Sequence, residues 1–92
     1  MNKFFNNYFK YIDDGVRSIE YLDLISISKI ITKTTKNDGT IFIVGNGGSA
    51  AIASHAAIDF TKAANIPATT FNESSLLTCF SNDYGYDFWV EK

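Results

Sequence analysis

The sequence has one cysteine, one proline, one histidine and one tryptophan in 92 residues, and it has no long apolar run. A lone cysteine, Cys79, excludes an internal disulfide. It lies among Leu76, Leu77 and Phe80, so it reads as a small buried side chain rather than a nucleophile, which would need a base beside it. No segment approaches the roughly 20 apolar residues of a membrane-crossing helix. The opening Met1-Asn2-Lys3-Phe4-Phe5-Asn6-Asn7 is broken by polar residues before any apolar core develops, unlike a secretory leader. These absences point to a cytoplasmic protein with no membrane partner. Basic residues are scarce and scattered, with 8 Lys and Arg against 10 Asp and Glu and a net charge of -2. Nucleic acid is therefore a poor partner. There are no internal repeats and no low-complexity segments.

What is present is the composition of a globular domain, 46% hydrophobic and 20% charged. Phe5, Phe9, Ile12, Val16, Ile19 and Leu22 recur at helical spacing, which predicts one or two helices between residues 4 and 24, with Gly15 interrupting them. The aromatic side chains of this stretch, Phe4, Phe5, Tyr8, Phe9 and Tyr11, suit packing within the fold or against another subunit. Residues 1–23 therefore read as an oligomer-facing helical segment and residues 24–92 as the body of the fold. A helix over about 24–36 ends at Asn37-Asp38-Gly39, with glycine near the C-cap position. Thr40-Ile41-Phe42-Ile43-Val44 reads as a strand buried on both faces. After the loop Gly45-Asn46-Gly47-Gly48-Ser49, a helix runs from Ser49 to about Ala64 and breaks at Pro67. Ala68 to Phe71 is a second strand. Ser74 to Phe80 is a short helix capped by Asn72 or Ser74, and Ser81 to Tyr86 is a polar loop. A further helix is expected to start at Trp89. This order is that of a parallel α/β sheet. Two strands alone are marginal, so the sequence reads as the first half of a larger domain.

The loop between residues 45 and 49 carries the functional signal. Three glycines permit positive φ and close approach of a ligand to the backbone. Free N–H groups at the start of a helix, with the positive end of its dipole, favour phosphate or sugar oxygens. Asn46 and Ser49 add side chains suited to hydroxyl groups, and Ser49 alternatively serves as a plain N-cap. A Walker loop is excluded, because no lysine followed by Ser or Thr comes after the glycines. The dinucleotide fingerprint is met loosely by Gly45, Gly47 and Ala50, with Glu73 as the acid that would hold a ribose. The helix that follows favours another chemistry. His55, Asp59 and Lys62 share a narrow sector, and most of the remaining circumference is Ala, Ile and Phe, suited to burial. A histidine and a carboxylate four residues apart can bind one metal ion or work as a proton-transfer pair.

Taken together, Gly45-Asn46-Gly47-Gly48-Ser49-Ala50-Ala51, then His55 and Asp59, then Ser81-Asn82-Asp83-Tyr84-Gly85-Tyr86 resemble the sugar isomerase (SIS) domain of the phosphoheptose isomerase family. The resemblance covers roughly Asp23 to Lys92. It implies a doubly wound, flavodoxin-like parallel sheet, a homotetramer, and conversion of sedoheptulose 7-phosphate to D-glycero-D-manno-heptose 7-phosphate on the way to heptose for surface polysaccharide. It also implies substrate contacts at Asn46, Gly47, Gly48, Ser49, Asn82 and Asp83. His55 would be a zinc ligand, and Asp59 would be both zinc ligand and catalytic base. Aldose–ketose isomerisation moves a proton between adjacent carbons through an enediol. Such a reaction needs a base, an acid and stabilisation of a developing oxyanion.

Two departures accompany the resemblance. Asp59 stands where the family usually has glutamate, one methylene shorter. The family's serine-rich phosphate loop and its late helix bearing a glutamine and a histidine have no counterpart in the 92 residues, so this sequence is expected to hold half of such a site and to be inactive alone. The alternatives are a non-catalytic SIS-type module that binds a carbohydrate derivative or an assembly partner, and a truncated dinucleotide-binding fold.

Overall fold

The computed structural model describes all 92 residues, Met1–Lys92. They form two compact units, Met1–Thr32 and Lys33–Lys92.

The first unit holds α1 (Asn2–Arg17) and most of α2 (Tyr21–Lys36). Helix α1 passes through Gly15 without a break and ends where the Ser18 hydroxyl donates to the Gly15 carbonyl oxygen at 2.7 Å. On its polar side the Lys10–Asp14 and Arg17–Asp13 pairs close at 2.6 and 2.8 Å, each four residues apart. The aromatic residues follow the other periodicity, with Phe5 and Phe9 stacked at 6.5 Å between centroids. Neither helix buries a residue.

The second unit contains β1 (Ile41–Phe42), α3 (Gly48–Lys62), β2 (Ala68–Thr69), α4 (Ser74–Tyr84) and a 3-10 turn, Tyr86–Phe88. The two strands pair in parallel, Ile41 opposite Ala68 and Phe42 opposite Thr69. The Ile41 N–H donates to the Pro67 oxygen at 2.9 Å and the Ile43 N–H to the Thr69 oxygen at 3.0 Å. The chain is thus helix-rich with a small parallel sheet, in agreement with an α/β class. Parallel pairing demands a crossover, and α3 supplies it. The buried residues are Ala53 and Ala57 of α3, and Trp89. Alanine lets a helix approach a sheet closely, and Thr61 seals the contact by donating from Oγ1 to the Ala68 oxygen at 3.1 Å.

Several local expectations need correction. Asp38, at φ 56°, takes the left-handed turn after α2, rather than Gly39. Strand β1 is not buried on both faces, for Phe42 is 59% exposed and stacks on Phe71 at 5.3 Å across an open apolar cleft. Helix α3 buries only its alanine stripe, and Ile52 and Ile58 face solvent. Helix α4 runs on through Ser81, Asn82, Asp83 and Tyr84, the stretch read as loop, until Gly85 at φ 94° stops it. Its cap is neither Asn72 nor Ser74 but Glu73, whose carboxylate accepts from the N–H groups of Ser75 at 3.0 Å and Leu76 at 2.9 Å. Those two bonds, at a helix start, hold the Glu73 carboxyl below its ordinary pKa of 4.5. Cys79 is exposed rather than buried, because it lies on the outer side of α4, where its Sγ is 3.7 Å from an Asp83 carboxylate oxygen. Residues 89–92 form a turn rather than a new helix. No helix is long and apolar enough to cross a membrane.

Candidate functional site

The ligand loop begins where β1 ends. Gly45 is held by a side chain from the end of the neighbouring strand. Asn72 Oδ1 accepts from the Gly45 N–H at 3.1 Å, and Asn72 Nδ2 donates back to the Gly45 oxygen. Thr70 Oγ1 donates to the same Oδ1 at 3.0 Å and accepts from the Asn72 N–H at 3.2 Å. The Asn72 amide thus extends the pairing of the two strands by one step, as a peptide group would. Glycine is required at position 45 by space, since a Cβ there would stand 2.9 Å from the Ala50 nitrogen and closer still to the Ser49 carbonyl. The first turn of α3 therefore sits directly on the end of the strand.

Gly47, at φ 55°, is the N-cap, so helix α3 starts one residue earlier than expected and Ser49 is not its cap. The Asn46 carbonyl accepts from the N–H groups of Ser49 at 3.0 Å and Ala50 at 3.3 Å. The N–H groups of Gly47 and Gly48 donate to no protein acceptor. The Asn46 side chain is turned towards Trp89, whose indole Nε1–H donates to Oδ1 at 3.0 Å. Asn46, Gly47, Gly48 and Ser49 are all exposed.

Two turns along α3, His55 Nε2 lies 3.5 Å from Asp59 Oδ1 on an exposed face, beside a shallow depression lined by Ala51, Ile52 and Ala56. The i, i+4 spacing read from the sequence does bring these two groups together. Nothing joins them to a third donor, and the chain holds no cluster of three or more His, Cys, Asp or Glu side chains. Asn82 and Asp83 lie in the last turn of α4. Asn82 Nδ2 donates to Asp83 Oδ1 at 3.1 Å, and neither residue is bonded to the 45–49 loop or to the His55–Asp59 pair.

Sequence reasoning missed Asn72 and Trp89. Asn72 sits just past a β-strand, where an asparagine reads equally well as a turn or a cap. Trp89 lies 43 residues beyond its partner Asn46. The only sequence signal for it was that the one tryptophan of the chain sits close behind the Asn82-Asp83 segment. The ribose-holding acid of the dinucleotide reading is accounted for otherwise, since both Glu73 carboxylate oxygens are engaged in capping α4.

The chain is 38% identical over 95 residues to the phosphoheptose isomerase of Leptospira biflexa, a match covering 88% of this chain and 49% of that protein. It is 42% identical over 66 residues to that of Aliarcobacter butzleri, covering 65% of this chain and 35% of the other. It is 30% identical over 95 residues to that of Akkermansia muciniphila, covering 95% and 50%. The chain spans about half the length of the curated relatives it matches most fully. No protein-family model and no solved structure matches it.

Proposed function

This chain is a relative of the phosphoheptose isomerases over most of its length, and on that premise we propose that it supplies one wall of a sugar-phosphate isomerase site. The reaction proposed is interconversion of sedoheptulose 7-phosphate and D-glycero-D-manno-heptose 7-phosphate, in a cytoplasmic homo-oligomer built on a doubly wound, flavodoxin-like sheet. The observation that carries the reading is the placement, on one strand–loop–helix unit, of unpaired N–H donors at Gly47 and Gly48 and the His55–Asp59 pair two turns on.

In this reading the Gly47 and Gly48 amides and the Asn46 side chain hold sugar or phosphate oxygens by donating to them. Asp59 takes the proton from the carbon next to the carbonyl and returns it to the neighbouring carbon, while the hydroxyl proton passes to the former carbonyl oxygen, so that the hydroxyl and carbonyl exchange places. The family resemblance implies zinc, and the donor set fits part of such a site. His55 Nε2 and Asp59 Oδ1, 3.5 Å apart on one helix face, are of the donor types that zinc takes and are close enough to serve one ion. His55 and Asp59 would be two of its ligands, with the others coming from outside these 92 residues. Bound there, zinc supplies a Lewis acid for the developing oxyanion. The incomplete donor set also supports a second reading, a module that binds a sugar phosphate without turning it over.

The test is a titration of the isotopically labelled chain with sedoheptulose 7-phosphate, followed by nuclear magnetic resonance. The amide signals of Gly47 and Gly48 and the ring signals of His55 should shift along one binding curve. Binding that leaves all three unmoved, or no binding at all, contradicts the assignment.

A further inference from the structure

We infer that Trp89 is a positioning residue for the ligand loop, fixing the Asn46 side chain so that its amide nitrogen faces a bound sugar-phosphate oxygen; this rests on the sugar-phosphate reading above. Trp89 is the most deeply buried side chain of the protein, at 3% exposure. Its ring lines the apolar cleft with Phe42, Val44, Phe71, Leu76 and Phe80. An indole N–H is a donor only, and leaving a buried one unpaired is costly. The acceptor it finds is Oδ1 of Asn46, at 3.0 Å.

That bond settles which way the Asn46 amide points. With Oδ1 committed to a donor, Nδ2 is directed away from Trp89, and it meets no acceptor in the protein. The Asn46 backbone is fixed as well, because its carbonyl accepts the first bonds of α3 from Ser49 and Ala50. Main chain and side chain are therefore held by different parts of the fold. Three donors without protein acceptors result: Asn46 Nδ2 and the N–H groups of Gly47 and Gly48. Without the indole, the Asn46 amide is free to rotate and to turn its oxygen towards an anionic ligand, which would repel it. The residue acts through Asn46 and has no need to touch the ligand.

The experiment is a double-mutant cycle on the full chain, using W89F, N46A and the double variant, with affinity for sedoheptulose 7-phosphate measured by calorimetry. Phenylalanine keeps most of the ring packing and removes the N–H. We expect W89F to weaken binding about tenfold, corresponding to roughly 1.4 kcal/mol, and to have no further effect in the N46A background. Additive losses would mean that Trp89 acts only through general stability, and unchanged affinity in W89F would remove the role altogether. Should W89F not fold, the wild-type chain still decides. Its sole tryptophan should change emission on binding sedoheptulose 7-phosphate, and that change should vanish in N46A with binding still measurable. Emission that ignores ligand while calorimetry records binding overturns the inference and leaves the sugar-phosphate reading standing. No binding by the wild-type chain overturns both.

Discussion

Replacing Asn72 with alanine removes the clamp that joins the end of β2 to the start of the ligand loop. The substitution deletes the bond from the Gly45 N–H, the bond to the Gly45 oxygen and the bond from Thr70 Oγ1. Gly45 is half-buried, so its two backbone groups lose their partners without full access to water. An unpaired buried donor or acceptor costs about 1–3 kcal/mol. With partial hydration at this site the lower end applies to each, and the total should be about 2 kcal/mol. Urea unfolding, read by Trp89 emission and by helical circular dichroism, measures it. For a chain this small the urea dependence is about 1 kcal/mol per molar, so the midpoint should fall by roughly 2 M. Asn72→Asp is the informative companion. It keeps an acceptor for the Gly45 N–H but sets an anionic oxygen against the Gly45 carbonyl, and it should be no better than alanine. A midpoint lowered by less than about 0.3 M in Asn72→Ala would refute the clamp.

Three further perturbations have defined outcomes. Gly45→Ala drives a methyl group into the backbone of Ser49 and Ala50 and should cost about 1–3 kcal/mol in the same unfolding assay. His55→Ala and Asp59→Ala should each change stability by less than about 0.5 kcal/mol, since both side chains are exposed, while zinc uptake measured by calorimetry falls at least tenfold. The Glu73 carboxyl is held below its usual value of 4.5 by the α4 amides, so its contribution to stability is present above that pH and is lost as pH falls through the lower folded-state value. The thermal midpoint of the wild-type chain should therefore drop more steeply below pH 4.5 than that of Glu73→Gln, and high salt should shrink the difference because the group is exposed.

Elements with a strong period were legible in the sequence, and contacts across distance were not. Helices α1, α2 and α3 follow from apolar spacing, and the i, i+4 rule places His55 beside Asp59. The β-branched run at Ile41 gives a strand, but its run of apolar residues cannot say which face is covered, and Phe42 turns out to face an open cleft. Asn72, Glu73 and Ser74 are all good capping residues in series. Only the structure shows that Glu73 takes the cap, because Asn72 is drawn off to Gly45. Trp89 and Asn46 meet through tertiary packing, which no local pattern encodes. By sequence Asn82 and Asp83 read as loop residues, yet they continue α4, since Gly85 rather than the polar residues before it ends the helix.

Residues 45–59 are proposed to form one catalytic wall of a sugar-phosphate isomerase. The direct measurement is turnover of sedoheptulose 7-phosphate by a chimera in which this chain replaces the matching half of the Leptospira biflexa phosphoheptose isomerase, with and without His55→Ala and Asp59→Ala. The chimera should isomerise the sugar phosphate in a zinc-dependent way, and each variant should lose at least a hundredfold in rate. A folded chimera that is inactive, or one whose activity ignores both substitutions, would contradict it.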